Sequence, residues 1–148
     1  MALNKIRQFL SDQDEKEIVQ AITQAEKNTS GEIRVHIETS SKDEPMERAQ
    51  KVFHNLNMHQ TKDRNAVLFY ICLTNKAFVI LGDEGIHQKV QQEDFWNGTR
   101  ELVVNHFKQG LYKQGLIYGI LKAGSKLKVY FPTTDNNTNE LSNEISKA

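Results

Sequence analysis

Residues 66–73 of the chain read AVLFYICL, an unbroken run of apolar side chains. A short run of this kind is typical of a β-strand that is covered on both faces of its sheet. Thr74, Asn75 and Lys76 then read as a tight turn, and residues 77–81 (AFVIL) read as another buried strand. The two strands are therefore expected to pair as a β-hairpin.

The sequence before this hairpin predicts a helix, a strand and a second helix. Apolar residues recur at helical spacing over residues 11–26, whereas residues 32–38 (EIRVHIE) alternate between apolar and polar side chains as in a strand. A second helical pattern begins at Pro45, which suits the first turn of a helix. A strand, a helix and a strand in this order predict a parallel strand pair with a right-handed crossover.

Two longer helices are predicted after the hairpin, over residues 91–109 and 111–130. The element order is then α-β-α-β-β-α-α, and the strands carry apolar side chains on both sides. Such strands need helices on both faces of their sheet. The predicted fold is α/β, a three-layer αβα sandwich around a small central mixed sheet of about four strands.

The length of the chain, 148 residues, favours one domain. We expect residues 1–10 to form an N-terminal segment and residues 11–131 to form the αβα domain. Residues 132–148 are rich in Asn, Thr, Ser and Glu and contain few apolar residues. This composition predicts a disordered polar tail.

Charge and cysteine content exclude several classes of protein. Lys and Arg together number 19, as do Asp and Glu, so the net charge is zero and there is no basic excess for binding nucleic acid. Cys72 is the single cysteine, so an intrachain disulfide is excluded. The N-terminus has no apolar signal region, and no apolar run approaches the ~20 residues that span a bilayer. We therefore expect a cytoplasmic monomer without a membrane segment.

Acidic residues gather in the connections around the predicted strands. If the hairpin turns near Asn75, the start of its first strand and the end of its second strand lie at one edge of the sheet. Clustered carboxylates repel one another unless a cation compensates, and Ca²⁺ accepts about six to eight oxygen ligands in irregular loops. The pattern predicts a site for a divalent cation, calcium or another such as magnesium. The candidate ligands are Asp63, Asp83, Glu84, Glu93 and Asp94, with Glu32 in reserve.

The same residues also allow a reading without a metal. In that reading Asp83 is a turn residue, residues 93–94 cap a helix, and Asp63 pairs with Arg64 or Lys62. The residue types and their spacing leave both interpretations open.

Four stretches, taken in order, resemble one known family. They are residues 29–35 (TSGEIRV), 63–68 (DRNAVL), 80–86 (ILGDEGI) and 107–116 (FKQGLYKQGL). Together they resemble the TPM domain family over most of residues 12–130. The resemblance implies an αβα sandwich, and the family includes a thylakoid-lumen acid phosphatase, a photosystem II repair protein and a receptor modulator. Some members bind calcium through acidic loop residues, which implies that Asp63 and the acidic loop after the third strand are ligands.

The leading hypothesis is a stand-alone TPM domain that binds a divalent cation, with calcium as the first candidate. Its loops would order on binding and so shape a surface for a protein partner. The alternative is a metal-assisted phosphatase or nucleotide hydrolase, with Arg64 as a phosphate clamp. The sequence contains no recognisable nucleophile motif for this chemistry. A third reading is an interaction module without a metal that contacts a partner through Phe95 and Trp96, although we expect both aromatic side chains to pack in the core.

Overall fold

The computed structural model describes the backbone of residues 2–133 and 139–148, and the side chains from Lys5 onward within these ranges. The elements in chain order are α1 (Ala2–Phe9), α2 (Asp12–Glu26), β1 (Glu32–Glu38), α3 (Pro45–Asn55), a 3-10 turn (Met58–Gln60), β2 (Ala66–Cys72), β3 (Ala77–Gly82), α4 (Glu84–His87), α5 (Gln92–Lys108), α6 (Tyr112–Tyr130) and β4 (Ser146–Lys147).

The four strands form one mixed sheet in the order β3-β2-β1-β4. β1 and β2 are parallel, β2 and β3 form the antiparallel hairpin, and β4 lies parallel to the outer edge of β1. The predicted hairpin, the parallel pair and the mixed sheet of four strands are confirmed.

Helices cover both faces of the sheet, which confirms the three-layer sandwich. On one face, apolar side chains of α1, α2, α5 and α6 pack against alternate residues of the three long strands. On the other face, α3 and the 3-10 turn pack against the remaining alternate residues of β2. All seven residues of β2 are buried as a result, as its unbroken apolar run predicts.

The N-terminal segment belongs to the packed domain, unlike the sequence-based expectation for residues 1–10. Ile6 in α1 is 2% exposed, and Leu10, which follows the helix, is fully buried. Both join the larger apolar cluster. These two residues are four positions apart, so one helical face carries both onto the core. Polar neighbours on the rest of the helix hide this short signal in the sequence.

The C-terminal residues also differ from the expected disordered tail. Residues 139–148 run along the outer edge of β1 and end in β4, whose Ser146 and Lys147 lie opposite His36 and Ile37. β4 pairs with the edge of the sheet through its backbone groups. This pairing does not require an alternation of apolar and polar side chains, so the sequence shows no strand pattern there. The remaining part of the predicted tail, residues 134–138, lies outside the described residues.

Phe95 and Trp96 pack inside the domain instead of forming an exposed contact surface. Trp96 is 4% exposed, and Phe95 makes edge-to-face contacts with Trp96 and Tyr130. None of the helices in the described part of the chain combines the length and apolar character that crossing a bilayer requires.

Candidate functional site

Two loops meet at the end of the sheet where β1 and β2 begin and β3 ends. Glu32 at the start of β1 lies opposite Ala66 of β2, and Val67 lies opposite Gly82 at the end of β3. The loop before β2 and the loop after β3 are therefore neighbours, as the sequence predicts. We call this region the acidic edge. Its acidic members are Glu32, Asp63, Asp83, Glu84 and Glu140.

A glycine allows the two loops to touch. The backbone N–H of Gly85 donates a hydrogen bond of 2.8 Å to the carbonyl oxygen of Arg64. A Cβ atom at position 85 would lie 2.6 Å from this oxygen and would also collide with the carbonyl oxygen of Asp63. Gly85 is therefore required by the close approach of the two backbones.

Gly85→Ala should lower the free energy of unfolding by about 1–3 kcal/mol, because the new methyl group must push the two loops apart. Thermal or urea unfolding would measure the loss. Gly98→Ala is the matched control: a Cβ there meets only the flexible end of Lys122 at 3.2 Å, and alanine favours a helix interior. A Gly85→Ala variant as stable as the wild type would contradict the close approach.

Asp83 is held by Arg64. Arg64 donates from Nε and Nη2 to the two carboxylate oxygens of Asp83, at 2.8 and 3.0 Å. The same carboxylate accepts the N–H of Glu84 at 2.7 Å and so caps α4. Asp83 is only 7% exposed, and two strong donors already satisfy it. This geometry also occupies the guanidinium that the hydrolase hypothesis uses as a phosphate clamp.

Asp63 and Glu84 are exposed members of the acidic edge. Asp63 accepts a long hydrogen bond of 3.4 Å from the hydroxyl of Ser30, and among the described residues it forms no ion pair with Arg64 or Lys62. Glu84 lies 3.8 Å from Nη1 of Arg64, with its side chain 61% exposed. Both carboxylates are open to solvent.

Glu32 differs from the other candidates because it is buried and incompletely satisfied. It is 3% exposed, and its Oε1 accepts the backbone N–H of Leu141 at 2.7 Å. Within the described part of the chain, its Oε2 has no hydrogen-bond partner and no cationic side chain pairs with it. The pKa of Glu32 is raised to about 7, chiefly by burial and also by the negative charge of Glu140, while the backbone N–H groups of Leu141 and Glu140 act in the opposite direction.

The second carboxylate at this position comes from the C-terminal residues. Glu140 accepts the backbone N–H of Lys62 through Oε2 at 3.0 Å, which places it between the loop before β2 and the start of β1. The buried hydroxyl of Thr61 in the same loop also has no partner among the described residues. Glu140 is a member of the acidic edge that sequence reasoning missed, because the tail that carries it reads as disordered.

Glu93 and Asp94 occupy the first turn of α5 and are exposed. Acidic residues are favoured there by the helix dipole. Neither forms a hydrogen bond or an ion pair with the acidic edge in the ranges that the structure describes. Gln92 next to them does reach the sheet, because its side-chain amide bonds both the N–H and the carbonyl of Gly82, each at 2.9 Å.

The acidic edge offers the kind of ligand that a hard cation binds. Carboxylate and hydroxyl oxygens are the ligands that Ca²⁺ and Mg²⁺ prefer. Among the described residues, however, no three His, Cys, Asp or Glu side chains are grouped so as to hold an ion. The neighbouring pair Glu32 and Glu140 would therefore need water to complete a coordination shell.

A second polar cluster lies at the other end of β1, and no motif in the sequence indicates it. Glu38 is buried, and its carboxylate accepts two hydrogen bonds of 2.9 Å from Arg48, one from the hydroxyl of Tyr70 and one of 3.0 Å from Nε2 of His36. Burial alone would raise the pKa of Glu38, but these donors lower it to about 2. The other ring nitrogen of His36 bonds Ser146 of β4 at 2.9 Å. This cluster is closed and satisfied, so it joins β1, β2, α3 and β4 structurally.

Comparisons with known proteins agree with the fold. The family model described as the TPM domain matches residues 3–126. The chain is similar to the BA42 protein of the psychrophilic bacterium Bizionia argentinensis, solved by NMR, with 52% identity over 95% of this chain and 96% of that one, and a TM-score of 0.89. It also resembles the N-terminal domain of a protein from P. gingivalis, solved by NMR, with 16% identity over 89% and 83% of the two chains and a TM-score of 0.68, a likeness of fold alone. No curated protein matches the chain. The match over most of its length shows that the chain belongs to the TPM domain family.

Proposed function

We propose that this TPM domain binds a divalent cation, with calcium as the first candidate, at the acidic edge. The observation that supports this most directly is the unpartnered Oε2 of Glu32, a buried carboxylate oxygen whose pKa is raised in part by the negative charge of a second carboxylate, Glu140. Burying a charged oxygen without a partner is costly, and a cation would compensate both carboxylates.

The composition of the site sets the expected affinity. Two carboxylates, the Thr61 hydroxyl and water make a weak site, with a dissociation constant of about 0.1–1 mM. Asp63 follows Lys62, whose N–H binds Glu140, so Asp63 is the nearest further candidate along the chain. Asp83 would first have to leave Arg64, and Glu84 lies beside the same guanidinium. Glu93 and Asp94 stay predictions that rest on the sequence.

The biological role follows from the position of the site. A cation at the acidic edge would order the loop before β2 and the residues around Glu140 and so shape a surface for a protein partner. A cytoplasmic location, a monomeric state and the partner itself stay predictions from the sequence. No observation favours the hydrolase alternative, since Arg64 is engaged by Asp83.

Thermal unfolding with and without calcium tests this function. At a calcium concentration ten times the dissociation constant, binding stabilises the folded state by about 1.4 kcal/mol, which corresponds to a rise in Tm of about 2–5 °C. Glu32→Gln should abolish the rise. Glu93→Gln makes the same change of charge on exposed α5 and should preserve it.

The comparison is made within each variant, so a change in the intrinsic stability of Glu32→Gln does not affect it. A wild type that melts at the same temperature in calcium and in chelator would refute cation binding. A rise that survives Glu32→Gln and disappears in Glu93→Gln would instead place the site at the start of α5.

A further inference from the structure

The C-terminal residues 139–148 form a strap along β1. The strap begins at the acidic edge, where Leu141 donates to Glu32 at 2.7 Å. It ends at the opposite end of the strand, where the N–H of Ala148 donates to the carbonyl of Ile37 at 3.0 Å and the N–H of Thr39 donates to the carbonyl of Ala148 at 3.2 Å. The strap thus spans the full length of β1.

The strap is held mainly by backbone and polar contacts, which include the bond of Ser146 to His36 and that of Asn143 to Thr23. Its regular strand, β4, has two residues, and its half-buried apolar side chains Leu141 and Ile145 pack against different apolar clusters on the two faces of the sheet. Lys147 adds an ion pair of 2.8 Å with Glu15. Segments with few buried contacts open locally at a small free-energy cost, well below that of unfolding the core.

The start of the strap combines favourable and unfavourable contacts. The buried carboxylate of Glu32 accepts backbone N–H groups of Leu141 and Glu140, but docking also adds the negative charge of the Glu140 side chain, and no cationic side chain in the described ranges pairs with either carboxylate. Like charges oppose docking, and the unpartnered Oε2 of Glu32, on a residue that is 3% exposed, leaves an acceptor in this contact unused. A positive charge bound at this point would therefore stabilise the docked strap relative to the undocked strap.

We propose that the strap is a cation-controlled latch: a divalent cation shared by Glu32 and Glu140 holds residues 139–148 against β1, and loss of the cation loosens them. This inference rests on the proposed function and adds its structural consequence. The latch works because Leu141 and Glu140 are consecutive, so the strap residue that binds the cation is joined directly to the strap residue that docks on Glu32. Opening would expose backbone groups of Ile37 and Thr39 at the edge of the sheet.

Hydrogen exchange on the full chain, in calcium and in chelator, tests the latch. Calcium should slow exchange of the amide hydrogens of Thr39, Leu141 and Ala148 about tenfold, while amides of the central strand β2 change much less. Calorimetric titration with calcium is run on the same sample. Protection that rises in the strap together with a measured heat of binding supports the proposal.

Two strap variants with the same change of charge separate the latch from a general charge effect. Glu140→Gln removes the repulsion at Glu32 and half of the cation site. It should therefore slow strap exchange in chelator and make it insensitive to calcium. Glu144→Gln changes an exposed residue of the strap that does not contact Glu32, and it should retain the wild-type response to calcium.

The possible failures are distinguishable. A heat of calcium binding without added protection in the strap would overturn the latch and leave the cation site standing. Absence of any heat and of any change in Tm would overturn both. Faster strap exchange in Glu140→Gln than in the wild type, both in chelator, would show that Glu140 holds the strap by its bond to Lys62 and would also overturn the latch.

Discussion

Replacing Glu38 with alanine should lower the free energy of unfolding by about 3–5 kcal/mol, the loss typical of breaking a buried ion pair. The side chain of Glu38 is 3% exposed and receives hydrogen bonds from Arg48, Tyr70 and His36. Truncation would leave the Tyr70 hydroxyl and a ring nitrogen of His36 without their acceptor inside the domain. It would also leave the guanidinium of Arg48, only 26% exposed, without its counter-ion.

Urea unfolding measures this loss, and Glu47→Ala is the matched control. Glu47 lies on the exposed side of α3, one residue before Arg48, so its replacement should change the free energy of unfolding by less than about 0.5 kcal/mol. A loss below about 1 kcal/mol in Glu38→Ala would mean that the three donors find other acceptors and that the cluster does not stabilise the fold.

The Glu38 cluster shows why part of this protein could not be predicted from its sequence. The alternation in β1 correctly places its apolar residues on one face. The polar positions on the other face look solvent-exposed in the sequence, yet three of the four are buried, and Arg48 of α3 binds the last of them, Glu38. Arg48 becomes the partner of Glu38 only after the crossover has packed α3 onto the sheet, which is a tertiary effect without a local signal.

The acidic edge was predictable to a similar extent. Apolar runs define the hairpin, and the hairpin brings the loops around Asp63 and Asp83 together. The pairing of Asp83 with Arg64 depends on backbone geometry, since Arg64 has a positive φ of 50° that no residue pattern reveals. Glu140 was not predictable because its segment docks mainly through backbone and polar contacts, whereas sequence patterns report apolar burial.

The free energy of unfolding should pass through a maximum at about pH 4.5, because acidic residues with opposite pKa changes limit it on each side. On the acid side, the folded state holds the pKa of Glu38 at about 2, below the ordinary value of 4.5. The stabilisation from Glu38 is therefore complete above about pH 4.5 and is lost as the pH falls towards 2. The difference between the two pKa values corresponds to about 3 kcal/mol.

On the alkaline side, Glu26 has the opposite effect. Burial and, to a lesser extent, the charge of Glu32 raise its pKa to about 7, against the hydrogen bond of 2.9 Å that it accepts from the N–H of Ile33. The folded state therefore binds this proton more tightly than the unfolded state does. Its contribution is complete below about pH 4.5 and is lost as the pH rises through 7, with a limit of about 3 kcal/mol. Glu32, whose pKa is also raised to about 7, changes stability in the same direction.

Urea unfolding from pH 2.5 to pH 8.5 in chelator measures both sides of this maximum, and one glutamine variant tests each side. Glu38→Gln should be less stable than the wild type at neutral pH but should lose much less stability towards acid. Glu26→Gln can still accept the N–H of Ile33 without carrying a buried charge. Its free energy of unfolding should therefore exceed that of the wild type by about 2 kcal/mol near pH 8 and match it near pH 5.

If Glu26→Gln gave no gain at pH 8, the carboxylate would be compensated in the folded protein, and the alkaline decline would have to come from Glu32. If Glu38→Gln kept the full acid dependence, the low pKa of Glu38 would not govern acid unfolding.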